Sequence, residues 1–330
     1  MKITIAASAQ FRTPEPATGG IGNVALDMGR LLMSRGHGVT LVAAEGSCLE
    51  GATVIEACPA QLGALGRTEA AVKKAVLDTE RDVILDITHT HQAAYEDPKH
   101  SVIYHQDISA IPRHPRAVFI SEDQRYRTYK GKHNARVIIN RIIPPHFEDN
   151  PLFAGYRVPL DVAIFLGNIV PHKGALVAIE VAKRMGVKLW VAGKVLDGVY
   201  GEKVMKACNG VEAIYIGPLN TNEKYRCLSQ ARMTICAPNT GLNHYHETGQ
   251  LVVSESAFCG TPVLTSQNGG ITDYVFPQIG RSGKNIREMV AQGKAVWEMT
   301  DRVSIADFAN EHLNLMTHAE EWERILVEAL

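Results

Sequence analysis

Each half of the chain opens on the same succession of elements, and this succession limits the fold more than any other feature. A short apolar run leads through a glycine-containing loop into an amphipathic helix, and the chain then returns to a second apolar run. These runs are residues 2–7 and 39–43 in the first half and residues 161–167 and 187–193 in the second. Short apolar runs that alternate with helices are typical of buried parallel strands. The sequence therefore predicts an α/β fold with two doubly wound domains.

The length and composition agree with this prediction and argue against several kinds of protein. A chain of 330 residues has room for two domains of about 150 residues each. Its formal net charge is −1, so no overall charge directs it to nucleic acid. The sequence shows no transmembrane run and no signal peptide, and its six cysteines include no Cys-x-x-Cys pair. These observations indicate a cytoplasmic protein with reduced thiols.

The stretch at residues 244–270 is the most informative one for function. Two carboxylates, Glu247 and Glu255, are separated by seven residues. A glycine-containing turn follows the first of them, and an apolar run then predicts a buried helix that ends at Gly260. Glu247 would thus precede a helix N-terminus, and Glu255 would lie about one turn inside the helix. Free amides at such an N-terminus favour an anion such as a diphosphate, although two solvated glutamates beside a core helix are the simpler alternative.

This stretch resembles the Glu-x7-Glu signature of glycosyltransferase family 4, whose members are retaining enzymes with the GT-B fold. The segment Ala257–Val263 and the two glycines after Asn268 resemble the family as well. In the second half of the chain, Lys173-Gly174 resembles the family's diagnostic pair. The resemblance is strongest over residues 162–275, where the successive motifs occur in the family's order.

The resemblance implies a domain organisation. Two Rossmann-like domains would face a central cleft, with residues 1–150 on the acceptor side and residues 151–310 binding the nucleotide sugar. A linker is expected within residues 148–159. Residues 311–330 are expected to form a C-terminal helix that crosses back to the first domain.

The resemblance also implies a reaction. A sugar would move from a nucleotide-sugar donor, a UDP- or GDP-sugar, to an unidentified acceptor hydroxyl with retention of configuration. Lys173 and the helix amides near Leu251 and Val252 would bind the diphosphate. Glu247 would stabilise the sugar during bond cleavage, and Glu255 would accept hydrogen bonds from ribose hydroxyls. No metal and no other cofactor is expected, because Lys173 and the helix N-terminus would replace a metal ion.

Three further positions resemble parts of the family's site. Gly20 lies in a loop that would approach the phosphates closely, His105 would meet the donor sugar, and the loop at Leu219 would read the base. An ordinary turn at Gly20 and a histidine at position 105 that is satisfied by a backbone carbonyl are equally good interpretations. His89 and His91 form a His-x-His pattern, but the sequence offers no nearby third ligand for a metal ion.

The chain departs from the family pattern in two places. Asn168 stands where the family usually has an arginine, and Gly249-Gln250 stand where it usually has Phe-Gly. Lys194 is the candidate cation in place of that arginine, because strand ends in this fold converge on one site. The departures leave open a different GT-B enzyme, such as a sugar-nucleotide epimerase or a sugar phosphorylase. A non-catalytic protein that binds a nucleotide sugar is a further alternative.

A basic region follows in the first half of the chain. It consists of Arg113, Arg116, Arg125, Arg127, Lys130, Lys132, Arg136 and Arg141. A solvated surface is the default interpretation of such a region. Contact with an acceptor phosphate or with an anionic membrane surface is the alternative.

Overall fold

The chain folds around two separate parallel sheets. The structure, a computed structural model, describes residues 1–14, 20–106, 112–129, 135–144, 158–238 and 246–330. One compact unit contains most of the residues up to Ile143 together with Leu315–Leu330, and the other runs from Pro144 to Asn314. Each unit is an α/β domain built on its own parallel sheet, which confirms the predicted fold class. Most of the predicted linker, residues 148–159, lies outside the described residues.

The first unit is a seven-stranded sheet in the order β3-β2-β1-β4-β5-β6-β7. All strand pairs are parallel. Most of the strands are apolar, as is typical of a parallel sheet that helices cover. The strands are β1 Lys2–Ala6, β2 Gly38–Ala44, β3 Thr53–Cys58, β4 Val83–Asp86, β5 Ser101–His105, β6 Ala117–Phe119 and β7 Arg136–Val137, and the helices between them are α1 Gly20–Ser34, α2 Leu65–Leu77, α3 Gln92–Glu96 and α4 Glu122–Tyr129.

The second unit is a six-stranded parallel sheet in the order β10-β9-β8-β11-β12-β13. Its core is formed by apolar side chains of the strands and of the helices that cover them. The strands are β8 Val162–Leu166, β9 Lys188–Ala192, β10 Ala213–Gly217, β11 Met233–Cys236, β12 Val263–Ser266 and β13 Gly280–Gly283, and the helices are α5 Ala175–Met185, α6 Gly198–Ala207, α7 Thr221–Gln230, α8 Leu251–Phe258, α9 Ile286–Trp297 and α10 Arg302–His312. The strand order reverses between β8 and β11.

The C-terminal segment belongs to the first unit. Its helix, α11 Ala319–Val327, buries Trp322 completely, and the indole ring meets the Tyr104 ring at a centroid distance of 4.5 Å. The amide of Leu315 donates to the carbonyl of Ile142 at 3.0 Å, so the returning chain starts beside the point where the first unit ends. Among the described helices, none combines the length and the apolar character that crossing a membrane requires.

Candidate active site

The candidate site lies at the carboxyl ends of β8 and β11. Ligands of doubly wound sheets bind outside the carboxyl ends of the strands, where the strand order reverses. The loop after β8 carries Asn168 and Lys173, and the stretch after β11 carries Glu247 and leads into α8. The sheet order thus brings two distant parts of the sequence to one edge.

Lys173 is placed by a short helical turn and a glycine. Residues Pro171–Lys173 form one turn of 3-10 helix, and Gly174 follows with φ 76°. Residues with a side chain rarely adopt this left-handed conformation, and it turns the chain directly into α5. The Lys173 Nζ atom lies 2.6 Å from the Glu247 Oε2 atom. Two residues that sequence analysis assigned to the same site therefore form an ion pair.

Glu247 is fixed through both its backbone and its side chain. Its backbone forms an isolated parallel bridge with Gly269, and the amide of Gly270 donates to its carbonyl oxygen at 2.6 Å. The side chain is buried, and Oε2 accepts a second hydrogen bond from Gln250 Nε2 at 2.8 Å. The carboxylate is thus oriented before any ligand arrives.

The N-terminus of α8 differs from the other helix starts of the second unit. Side chains cap α6, α7, α9 and α10, and these capping residues are Asp197, Asn220, Asn285 and Asp301. In α5 the amide of Leu176 donates to the Tyr200 hydroxyl at 3.1 Å. Among the described residues, α8 starts at Gln250 without a side-chain cap. Its first amides, those of Leu251 and Val252, have no partner within the helix, so they can bind an anion that also interacts with the helix dipole.

Glu255 lies one turn inside α8, as predicted, and it has a partner that sequence analysis missed. Lys224 Nζ lies 2.5 Å from Glu255 Oε1, and the lysine side chain is only 17% exposed. The same ammonium group lies 4.6 Å above the centre of the Tyr225 ring. No local sequence pattern indicates this pairing, because Lys224 lies on α7 and Glu255 lies on α8. The site therefore holds two lysine–glutamate pairs.

Gly249 and Gln250, the second departure from the family pattern, both have a local explanation. A Cβ atom at position 249 would lie 2.5 Å from the hydroxyl and 2.6 Å from ring carbons of Tyr274. No side chain fits there unless that ring moves. Gln250 precedes α8 and donates to Glu247. The altered dipeptide thus accommodates Tyr274 and supports the carboxylate.

The charged groups of the site act together on a buried thiol at the end of β11. Burial raises the pKa of Cys236, the carboxylates of Glu247 and Glu255 raise it further, and Lys173 opposes them. Burial likewise lowers the pKa of His172, with a contribution from the neighbouring Lys173 and an opposing one from Glu247.

The remaining predicted residues of this unit lie on neighbouring strand-end loops. Asn168 is half-buried and Lys194 is exposed. The amide of Ile169 donates to the Lys194 carbonyl at 2.8 Å, so the two loops run side by side. Leu219, half-buried, lies between β10 and the cap of α7.

Residues 157–283 match the family described as Glycosyl transferases group 1. This stretch is a glycosyltransferase domain. It contains Lys173, Glu247, Glu255 and the uncapped start of α8, and it also contains Lys224. The geometry described above therefore lies entirely inside the glycosyltransferase domain.

Solved structures show the same fold over nearly the whole chain. AviGT4, a glycosyltransferase involved in avilamycin A biosynthesis, is 20% identical, with a TM-score of 0.77 over 99% of this chain and 97% of that one. HepE from Anabaena in complex with UDP and glucose is 14% identical, with a TM-score of 0.71 over 99% of both chains. The catalytic domain of starch synthase IV from Arabidopsis thaliana bound to ADP and acarbose is 12% identical, with a TM-score of 0.77 over 99% of both. Comparison with curated protein sequences gave no match. At these identities the likeness shows the fold, which is that of GT-B glycosyltransferases.

Two predicted site residues lie outside the glycosyltransferase domain, in the first unit. Gly20 is exposed at the start of α1. His105 ends β5 and is buried, with its Nδ1 atom 2.9 Å from the Nε2 atom of His91. His105 Nδ1 therefore has a side-chain partner, His91. His91 pairs with His105 across two strand ends, which the His-x-His pattern did not suggest.

The basic region of the first unit is largely paired within the protein. Arg125 and Arg127 bind carboxylates of their own helix. Arg136 pairs with Glu328 at 2.7 Å. The side chain of Arg116 donates to backbone carbonyls, including that of Ser101 at 3.2 Å, and Arg141 lies near Glu321. These arginines have partners within the first unit, and Lys130 and Lys132 lie outside the described residues.

Proposed function

We propose that this chain is a retaining glycosyltransferase of family 4 that transfers a sugar from a UDP- or GDP-sugar to an acceptor hydroxyl. One observation carries the proposal. Within the glycosyltransferase domain, the Lys173–Glu247 pair stands directly before the uncapped N-terminus of α8. A cation, a carboxylate and unsatisfied amides at one strand edge are the groups that breaking a sugar–diphosphate bond requires.

The leaving diphosphate is the first task of these groups. When the bond between the anomeric carbon and oxygen breaks, the electron pair stays on the phosphate oxygen and negative charge grows there. The Lys173 ammonium and the amides of Leu251 and Val252 stabilise that charge. Glu247 holds Lys173 at the site, and the lysine can turn from there to the phosphate.

The sugar and the acceptor are the second task. Positive charge develops on the sugar ring, and the carboxylate of Glu247 stabilises it. The acceptor hydroxyl attacks the face that the diphosphate leaves, and its proton passes to the departing phosphate oxygen, so configuration is retained. His105 is assigned to contact with the donor sugar and Gly20 to a close approach to the phosphates. Both of these assignments follow from the family resemblance.

The nucleoside is the third task. Glu255 accepts hydrogen bonds from the ribose hydroxyls, and the loop at Leu219 offers backbone groups to the base. Lys224 holds the Glu255 carboxylate at 2.5 Å, which orients it for the ribose. HepE was solved with UDP and starch synthase IV with ADP, which supports a nucleoside diphosphate as the ligand of the same fold here. We propose that no metal ion is needed, because Lys173 and α8 supply the positive charge.

Titration calorimetry with UDP, GDP, ADP and TDP tests the proposal. We expect one of the four to bind, and Lys173→Ala to weaken that binding. The surface variant Lys183→Ala, in the last turn of α5, serves as the control. Silence from all four nucleotides at millimolar concentration would remove the proposal.

Turnover of the matching nucleotide sugars separates the remaining alternatives. A product with retained anomeric configuration, formed equally well in EDTA, supports a metal-independent retaining transferase. Mutarotation of the sugar indicates an epimerase, and phosphate-dependent release indicates a phosphorylase. Binding without any turnover across an acceptor screen indicates a non-catalytic binding protein.

A further inference from the structure

Three buried side chains form a line at the carboxyl ends of β4 and β5 in the first unit. Asp86 and His91 are completely buried, and His105 is nearly so. The Nδ1 atom of His91 lies 3.6 Å from Asp86 Oδ1, and its Nε2 atom lies 2.9 Å from His105 Nδ1. The rings of the two histidines meet edge-on, with centroids 5.1 Å apart. None of the roles proposed above uses Asp86 or His91.

The loop that carries His91 is held by two buried carboxylates. Asp86 accepts hydrogen bonds from the Thr88 amide at 3.0 Å, the Thr88 hydroxyl at 2.6 Å and the Ala94 amide at 3.1 Å. Glu69 accepts from the amides of His89 and Thr90 at 2.6 Å and 2.7 Å. Each backbone amide from Thr88 to His91 therefore has a side-chain acceptor.

His91 itself has a strained backbone. Its φ of 55° lies in the left-handed region, and it is the one described residue other than glycine with a positive φ. Such a conformation costs on the order of 1 kcal/mol or more and persists only when the surroundings enforce it. The Thr88 hydroxyl does so by accepting from the His91 amide at 3.0 Å. The strain and the hydrogen bonds together direct the imidazole ring of His91 between Asp86 and His105.

We propose that Asp86 and His91 are positioning residues that hold His105 in one orientation and in its Nδ1–H tautomer. The Asp86 carboxylate favours a proton on the nearer ring nitrogen, Nδ1 of His91. A neutral His91 then has its lone pair on Nε2 and accepts a hydrogen bond from His105 Nδ1–H. His105 consequently has its lone pair on Nε2, which is the form that accepts a hydrogen bond from a hydroxyl group.

The negative charge of Asp86 supports this direction of hydrogen bonding, from His105 to His91. Burial alone would raise the pKa of Asp86, but the interactions with His91 and with the amide and hydroxyl of Thr88 outweigh it and lower the pKa below its usual value. An ionised carboxylate beside Nδ1 favours a proton on that nitrogen over a lone pair. The inference rests on the proposed function, because the hydroxyl group that donates to His105 would belong to the donor sugar.

The tautomer can be observed directly in the unmodified protein. Long-range ¹H–¹⁵N correlation spectra at pH 7 of the chain with labelled histidine distinguish the two neutral forms and the imidazolium. The signal of His105 is assigned by its loss in His105→Gln. We expect the Nδ1–H form for His105 and a neutral ring for His91. A His105 ring protonated on Nε2, or an imidazolium at His91, would overturn the proposal.

A pair of substitutions at His91 then tests the positioning role. The Oε1 atom of His91→Gln can accept at the place of Nε2, whereas His91→Phe offers no acceptor. The substrate is UDP-glucose or GDP-mannose, whichever the protein turns over. We expect His91→Phe to lower kcat about 10- to 100-fold, because the residue that orients a functional histidine is lost. KM should stay within about 3-fold, and His91→Gln should recover most of kcat. Wild-type kcat in His91→Phe, or an equal loss of kcat in His91→Phe and His91→Gln, would contradict the positioning role.

The test is separate from that of the proposed function. UDP and GDP binding by the second unit should be the same in wild type and both His91 variants. If the wild-type chain binds neither nucleotide and turns over neither sugar, the proposed function fails while the tautomer measurement still decides the positioning claim. If His91→Phe does not fold, the spectra of the wild type remain decisive.

Discussion

The two units each contain a pair of buried carboxylates, and they satisfy them in opposite ways. In the second unit Glu247 and Glu255 each pair with one lysine, and Lys173 and Lys224 are 25% and 17% exposed. In the first unit Asp86 and Glu69 are buried, and their partners are backbone amides and threonine hydroxyls. A lysine can turn to a phosphate without disturbing the fold, but an amide cannot leave its carboxylate unless the loop opens. The lysine-paired carboxylates of the second unit therefore suit a ligand site, and the amide-bound carboxylates of the first unit suit a rigid support.

Removal of a carboxylate should have its largest effect on stability in the first unit. Asp86→Ala leaves the amides of Thr88 and Ala94 buried without an acceptor, and we expect a loss of about 3–5 kcal/mol in the free energy of unfolding. Glu247→Ala, the matched change in the second unit, should cost less than about 2 kcal/mol because Lys173 can reach water. Urea unfolding is followed by Trp322 fluorescence for Asp86→Ala, in a background with Trp190 and Trp297 changed to phenylalanine. For Glu247→Ala it is followed by Trp190 and Trp297 fluorescence, in a background with Trp322 changed to phenylalanine, and each variant is compared with its own background. Similar losses for both variants would remove the distinction.

Removal of charge should have its largest effect on turnover in the second unit. Glu247→Gln keeps the shape of the side chain but removes the negative charge, and we expect turnover to fall about 100-fold, or about 2.7 kcal/mol. Nucleotide affinity should hardly change. Steady-state kinetics measure both quantities, with Glu180→Gln, an exposed carboxylate on α5, as the control. An unchanged kcat in Glu247→Gln would make this carboxylate structural, like those of the first unit.

The cationic side of the second unit can be tested at Asn168 and Lys194. If Lys194 replaces the arginine that the family usually has, Lys194→Ala should weaken UDP binding by about 1–3 kcal/mol, and uridine binding should not change. Asn168→Arg should strengthen UDP binding only slightly, because Lys194 already supplies the positive charge. Lys188→Ala, at the start of the strand that Lys194 follows, is the calorimetric control. Wild-type affinity in Lys194→Ala together with much tighter binding by Asn168→Arg would show that the site lacks this cation.

The smallest expected difference concerns acid sensitivity. Burial, with a contribution from Arg116, lowers the pKa of His114 in the first unit to about 4, whereas an unfolded histidine titrates near about 6.5. Below that pH the unfolded chain binds a proton that the folded chain does not, so stability falls as the pH drops from about 6.5 towards 4. His114→Gln should flatten this part of the Tm–pH curve, and His172→Gln, at a half-buried position, should flatten it less. A larger effect at His172 would contradict the prediction.

Helices and strands could be predicted from the sequence where the local residue pattern and the tertiary packing favour the same structure. Helix α8, its end at Gly260 with φ 68°, and strands β1, β2, β8 and β9 were predicted from apolar runs and glycines. Strand β13, Gly280–Gly283, was not predicted because its Gly-Arg-Ser-Gly sequence has no strand pattern. It is a strand only because β12 offers an edge to pair with. Strand β3 and helices α2, α3, α6 and α9 were also missed.

The same division applies to the candidate site. The positions of Glu247 and Glu255 around the start of α8 follow from spacing, which is local information. The pairing of Lys224 with Glu255 and of His91 with His105 depends on which elements become neighbours in each unit. Sequence spacing shows neither contact. Roles at Lys173, Glu247 and His105 stay predictions until the variants above are measured.

The hydrogen bond between Ile142 and Leu315 has a consequence for how the chain can be cut. Residues 144–314 leave and re-enter the first unit at adjacent points, so the second unit is an insertion in the covalent sense. A short Gly/Ser linker from Ile143 to Leu315 would therefore produce a chain that keeps every strand of the first sheet and α11. A truncation before Leu315 would instead remove Trp322 from the core of the first unit while leaving the glycosyltransferase domain whole. The C-terminus is thus a structural part of the half of the molecule that is most distant from it in sequence.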